Sequence, residues 1–252
     1  MSKKNRPHKE DKSLHIEQRD KIKEELHIRN FPFTEKQKKL IDLILDKNTK
    51  IVFVKGPAGC AKTLVSVYCG LRLLKDKKCG EFLYLRSIIE SASKSLGSLP
   101  GEAELKMQPF MVPLEDKLLE LLPNSQVKML INDERVKANV INYLRGASYR
   151  AVYALGDEIQ NFTFSELTTL ITRLGEHSKL VICADPAQSD INGKSGFMPM
   201  YNIFNDEESR QNGIHTFEFT KEDIMRSGTV KFIVEKLESH KSEKSKDPMF
   251  PN

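Results

Sequence analysis

Residues 51–63 read IVFVKGPAGCAKT, and their types suit the grip of a polyphosphate. A β-branched apolar run, 51–54, leads into Gly56, a Pro-Ala-Gly turn and then Lys62-Thr63. This follows the phosphate-binding pattern G-x-x-x-x-G-K-[ST], with Ala61 where the second glycine usually stands. Gly56 and Gly59 let backbone amides curl around phosphate oxygens, and a following helix adds the partial positive charge of its N-terminus. The lysine of such a loop reaches β- and γ-phosphates, and its hydroxyl residue places an oxygen on Mg²⁺. The candidate nucleotide-binding residues are therefore Gly56, Pro57, Ala58, Gly59, Cys60, Ala61, Lys62, Thr63 and Leu64, with Lys62 also a catalytic candidate. The Ala61 methyl is expected to tighten packing without removing a donor.

A second cluster lies a hundred residues on. The segment 153–161, YALGDEIQN, places Asp157 and Glu158 after a hydrophobic strand. An aspartate at a strand end can hold Mg²⁺ directly or through water. An adjacent glutamate can polarise an attacking water as general base, a group that kinases sharing this loop usually do without. The pair thus favours hydrolysis, with Thr63 and Asp157 as metal candidates. A further strand, 179–184, ends in Asp185-Pro-Ala-Gln188, where Gln188 could touch the γ-phosphate or its water. Upstream, Gln37 follows Phe33-Thr34. A glutamine amide there can read the N6 and N7 edge of adenine, although on spacing alone a surface position fits it better.

Elements must hold these groups at one rim. The text alternates: helix 37–45, strand 50–54, helix 62–74, strand 81–85, a serine-rich loop 87–102, and a helical stretch 105–122 that Pro109 and Pro113 should break in two. A strand is expected at 127–131, and 136–143 is ambiguous. Then come strand 151–155, helix 165–174, strand 180–184, a short strand 216–219 and a closing helix 229–237. Apolar strands separated by helices indicate an α/β, three-layer domain with a mostly parallel sheet, and ligands of such sheets sit at the carboxyl ends of the strands. The domain is expected at 31–237, between a charged extension 1–30, with a possible exposed helix at 17–28, and a disordered tail 238–252.

Bulk properties narrow the class. The 252 residues are 39% hydrophobic and 30% charged, ordinary for a globular chain. A net charge of +5 permits a polyanionic partner without demanding one. Cys60, Cys69, Cys79 and Cys183 form no C-x-x-C pair and read as free thiols of a reducing compartment. Cys60, inside the loop, could be oxidation-sensitive. No apolar run spans a membrane and the N-terminus has no signal-peptide core, so a cytoplasmic protein is expected.

Taken together, the motifs resemble the PhoH family of P-loop ATPases, which share a RecA-like core with superfamily-one helicases. The matching stretches are Gln37, GPAGCAKT at 56–63, LGSLPGEAELKMQPFMVPLEDKL at 96–118, YLRGASY at 143–149, GDEIQN at 156–161, ADPAQSD at 184–190, KSGF at 194–197 and Asp223-Ile-Met-Arg226. Besides Ala61, the chain departs from the family pattern at Ala184, Ser87 and Ala147. The resemblance implies that Lys62 grips β/γ oxygens, that Thr63 and Asp157 hold Mg²⁺, and that Glu158 activates water. It implies that Gln160 and Gln188 couple nucleotide state to the rest of the protein, and that Arg226 is an arginine finger; a helix-cap or salt-bridge arginine is its alternative. The short form is similar to versions carried by large tailed bacteriophages and their hosts. The family name carries a phosphate-starvation association that no residue here encodes.

If Arg226 acts as a finger, this single core needs a neighbouring subunit to present it. This predicts a homo-oligomer, and the resemblance suggests a hexameric ring. The expected function is an Mg²⁺-dependent ATP hydrolase acting as a motor on single-stranded nucleic acid, RNA before DNA. Arg86, Lys94 and Lys106, with Phe110, are candidates for the strand, or a solvated face. The alternatives are a nucleotide-gated scaffold or sensor with slow turnover, and a small-molecule kinase.

Overall fold

The computed structural model describes residues 24–86, 103–140, 149–191 and 193–225, together with 232 and 236. Among them, six strands form one all-parallel sheet in the order β3-β2-β4-β5-β1-β6. The strands are β1 (Ile51–Lys55), β2 (Glu81–Arg86), β3 (Val136–Val140), β4 (Val152–Asp157), β5 (Lys179–Ala184) and β6 (Ile214–Glu218). The helices are α1 (Glu35–Leu45), α2 (Lys62–Lys75), α3 (Ala103–Leu121), α4 (Asn124–Asn132), α5 (Phe164–Ile171), α6 (Phe197–Ile203) and α7 (Glu207–Gln211).

Alternation along the strands sorts side chains into two layers. Val52, Val54, Phe82, Tyr84, Tyr153, Leu155, Val181 and Cys183 face α1 to α4. Ile51, Phe53, Leu83, Leu85, Ala154, Leu180 and Ile182 face α5 and α6. Both faces are covered, which is why the strands read as continuous apolar runs.

Two expectations about the middle of the chain are corrected. The expected break is absent: one helix, Ala103–Leu121, runs through Pro109 and Pro113. Leu114, Leu118 and Leu121 are fully buried on one face, and this packing outweighs the two backbone hydrogen bonds that the prolines cannot make. The segment 127–131 is helical, within α4. Pro123 stands at its N-cap, and Gln126, Val127 and Leu130 form the buried stripe while Lys128 is exposed. The apolar run VKMLI masked that three-to-four spacing. The ambiguous 136–143 stretch opens with β3.

Packing also reaches upstream of the boundary drawn at residue 30. Leu26 is buried, the Arg29 amide donates to Leu121 O at 2.8 Å, and the His27 amide donates to Gln126 Oε1 at 2.8 Å. Residues 25–28 carry no helix, against the expected 17–28. The serine-rich loop 87–102, the stretch 143–148, the tail 238–252 and most of the closing helix lie outside the described residues.

Candidate functional site

The phosphate loop joins β1 to α2, and each bend has a local cause. Gly59 has φ 93°, a conformation that favours glycine, and a Cβ on Gly56 would lie 2.6 Å from Phe219 Cβ. Ala61 also adopts the left-handed region, at φ 65° and ψ 27°. The methyl therefore does not merely tighten packing: it stores backbone strain on the order of 1 kcal/mol. Glu158 is the other strained residue of the site, at φ 55°. Leu64 points its side chain into the core, so only its backbone faces the loop. Pro57 has no N–H, and its carbonyl accepts from Lys62 Nζ at 2.9 Å and from the Cys60 thiol at 3.0 Å.

The loop's carbonyls are held by partners from three parts of the chain. Lys62 Nζ donates to Gly56 O at 2.6 Å. The Met225 amide donates to Gly59 O at 3.1 Å, and Gln37 Nε2 donates to Cys60 O at 3.3 Å. Gln37 is buried, contrary to the surface position its spacing favoured. It completes the capping box of α1, with Oε1 accepting the Thr34 amide at 3.0 Å, and its Nε2 also meets Met225 Sδ at 3.0 Å. Its amide thus braces the loop, and reading adenine would require exchanging these partners. Cys60 is fully buried and burial pushes its thiol up, which makes it a poor target for oxidation and corrects that expectation.

α2 crosses from β1 over β5 to β4. Ser66 Oγ lies 3.4 Å from Cys183 Sγ on β5, and Tyr153 on β4 donates its hydroxyl to Ser66 O at 2.7 Å. That path carries the first turn of α2 to the end of β4, two strands away. The Thr63 hydroxyl donates to Asp157 Oδ1 at 2.8 Å, and the Tyr84 hydroxyl donates to Asp157 Oδ2 at 2.7 Å. Asp157 is buried at 6% exposure. Burial pushes its carboxyl up, while the bonds from Tyr84 and Thr63 pull it down. A hydroxyl and a carboxylate side by side are hard oxygen donors. They suit an ion such as Mg²⁺, which takes one or two protein ligands and completes its shell with water and phosphate. Among the described residues no cluster of three His, Cys, Asp or Glu side chains offers an all-protein metal cage.

The end of β5 ties the two clusters together. Asp185 Oδ2 accepts the Ala58 amide at 2.9 Å, and Oδ1 accepts the Ala187 amide at 3.1 Å. The Asp185 amide donates to Gln160 Oε1 at 3.2 Å, and Gln160 Nε2 donates to Glu158 Oε2 at 2.6 Å. A continuous chain thus runs from the loop amide of Ala58 to the Glu158 carboxylate. Gln188 stands exposed in the single turn after Asp185. Arg226, the finger candidate, lies outside the described residues, as does Lys94. Arg86 ends β2 in register with Asp157.

Sequence reasoning missed Tyr84 and the bracing role of Asp185. The signals were present: a tyrosine in a strand buried on both faces needs a polar partner for its hydroxyl, and Asp185 ends its strand as Asp157 does.

Comparison with known proteins gives the family and the fold. Residues 30–238 match the family described as PhoH-like protein. The chain is 30% identical over 200 residues to a PhoH-like protein of Synechocystis sp., covering 79% of this chain and 59% of the relative. It is 32% identical over 206 residues to a PhoH-like protein of Mycobacterium tuberculosis, covering 81% of this chain and 56% of the relative. It is 28% identical over 185 residues to Protein PhoH of Escherichia coli, covering 72% of this chain and 51% of the relative. The chain spans little more than half the length of these relatives. Among solved structures, the large terminase from a thermophilic bacteriophage shares the fold, with a TM-score of 0.50 at 12% identity over 79% of this chain and 49% of the terminase. The fold is that of P-loop nucleotide-binding proteins, and the chain belongs to the PhoH-like protein family.

Proposed function

We propose that this chain is an Mg²⁺-dependent ATP hydrolase that works as an oligomeric motor on single-stranded nucleic acid, with RNA the favoured strand. The observation that carries the reading is the 2.8 Å bond between Thr63 and Asp157. It brings together the end of a phosphate loop and the end of an acidic strand that a further strand separates in the sheet.

The residues divide the work. The loop amides and Lys62 grip the triphosphate, and Lys62 exchanges its two carbonyl partners for phosphate oxygens. Thr63 and Asp157 hold the metal. A bound Mg²⁺ neutralises charge on the β- and γ-phosphates. Glu158, adjacent to Asp157 and held at a strained angle, takes the proton of the attacking water. Gln160 links that carboxylate to the β5 end, so a shift at Asp185 reaches the general base. Arg226 of a neighbouring copy supplies the finger, and the head-to-tail contact this needs closes as a ring if the rotation allows.

The test is phosphate release from ATP, measured against protein concentration with and without single-stranded RNA, with Lys62→Ala as the blank. A motor shows stimulation by RNA and a rate per subunit that falls on dilution. Turnover equal to the blank at every concentration sinks the hydrolase reading.

A second reading is a nucleotide-gated scaffold. It is favoured by the 2.6 Å bond from Gln160 to Glu158, which holds the candidate base to a protein partner and would slow basal turnover. It predicts ATP-dependent assembly at a turnover that RNA leaves flat.

A further inference from the structure

We propose that Tyr84 is a positioning residue that sets the cation preference of the site, restricting Asp157 to one-oxygen contact and so favouring Mg²⁺ over Ca²⁺. This rests on the nucleotide-binding reading above and adds a residue to it.

Tyr84 is fully buried, its ring fixed in the layer that contains Phe82 and Tyr153. It lies in register with Leu155, two residues before Asp157, and its hydroxyl extends along the sheet to the carboxylate. The hydroxyl donates to Oδ2 at 2.7 Å, while Oδ1 receives the Thr63 hydroxyl at 2.8 Å. The two oxygens therefore differ. Oδ1 lies beside Thr63 at the end of the phosphate loop. Oδ2 is engaged by a group anchored in the core, which has no freedom to move away with its backbone and ring packed.

A carboxylate pinned in this way offers a single oxygen. Mg²⁺ accepts that, since it takes single oxygens in a tight octahedron and keeps several waters. Ca²⁺ takes six to eight oxygens at longer distances and gains from two-oxygen carboxylate contact. A phenol donating to Oδ2 opposes that second contact. Tyr84→Phe keeps the ring and its packing and removes only this donor.

The experiment titrates Mg²⁺ and, separately, Ca²⁺ against binding of a fluorescent ADP analogue, on the full chain. The readout is the ratio of the half-saturating Ca²⁺ concentration to the half-saturating Mg²⁺ concentration. Loss of an outer partner of a metal ligand typically costs about 10–100-fold in metal affinity. Tyr84→Phe is expected to impose that cost on Mg²⁺ while Ca²⁺ offsets it through the freed second oxygen, so the ratio falls about tenfold, with metal-free nucleotide affinity unchanged. In an Asp157→Asn background the same substitution is expected to leave the ratio where it was. A Tyr84→Phe protein that melts with the unaltered protein and keeps its ratio overturns the proposal. So does a shift that persists without the carboxylate. Should Tyr84→Phe melt near the assay temperature, both proteins are titrated at a lower temperature at which the variant is folded, and the ratio is read in the same way. If the unaltered protein binds no ADP analogue at any metal concentration, the nucleotide reading falls and this inference with it; an altered ratio alone cannot arise from that failure.

Discussion

Asp157 and Asp185 end neighbouring strands and are about equally buried, at 6% and 7% exposure, yet their partners differ in kind. Asp157 receives two side-chain hydroxyls, from Thr63 and Tyr84. Asp185 receives two backbone amides, from Ala58 and Ala187. The Thr63 hydroxyl can rotate and accept where it donated, or give way to a cation, while the core-anchored Tyr84 hydroxyl keeps its hold on Oδ2. A backbone N–H can only donate, and it is fixed by the chain that carries it. The first carboxylate is thus arranged to change partners at Oδ1, and the second is a brace between the phosphate loop and the end of β5.

The largest expected effect lies on the exchangeable side. Glu158→Gln keeps the size of the residue next to Asp157 and removes its basicity. Phosphate release should fall by about 10²–10⁴-fold, while binding of a fluorescent ATP analogue persists. Retained turnover would mean that the acidic strand end is no more reactive than the brace.

Next comes the brace itself. Asp185→Ala leaves two amides without an acceptor, and bonds to charged groups contribute about 1.5–3 kcal/mol each. A loss of about 3 kcal/mol corresponds to a Tm lower by about 6–12 °C for a domain of this size. Calorimetry that finds no change would remove the distinction between the two acids. Asp157→Asn sharpens it from the other side. The substitution removes a buried charge, and both hydroxyls can turn to suit an amide. Its Tm in metal-free buffer should equal or exceed that of the unaltered protein by up to about 3 °C. A fall comparable with that of Asp185→Ala would show that Asp157 is a brace as well.

The smallest effect is expected within the loop that Asp185 holds. Ala61→Gly relieves the left-handed methyl, but glycine gains freedom in the unfolded chain, so the net gain should be about 0.5 kcal/mol. The same melting experiment reads it. A lower Tm would mean that the Ala61 methyl makes contacts worth more than its strain.

Much of the site was legible because its residues fall in short runs. The phosphate loop and the Asp157-Glu158 pair each sit between a strand and a turn, so type and spacing carried the signal. What was not legible lies across the sheet. Tyr84 is about seventy positions from Asp157 in the chain and meets it only because β2 pairs with β4. Gln37 offered no spacing that distinguished a buried brace from a surface amide, since its partners, Cys60 and Met225, belong to other elements. The helix α4 was misread for a related reason. Its apolar run is as long as a strand, and what decides its shape is Leu122, Val127 and Leu130 packing with α3 in one core.

The segment after β6 has a consequence for coupling. It is fastened at three points: the Phe219 amide on Lys55 O at 2.8 Å, Asp223 on Lys36 at 2.7 Å, and the Met225 amide on Gly59 O at 3.1 Å. Two of these land on the phosphate loop and the strand that feeds it, and the third on α1. A binding partner that pulled this segment off the phosphate loop would change the loop's support and with it the affinity for nucleotide. By linkage, nucleotide alters the affinity for that partner by the same factor.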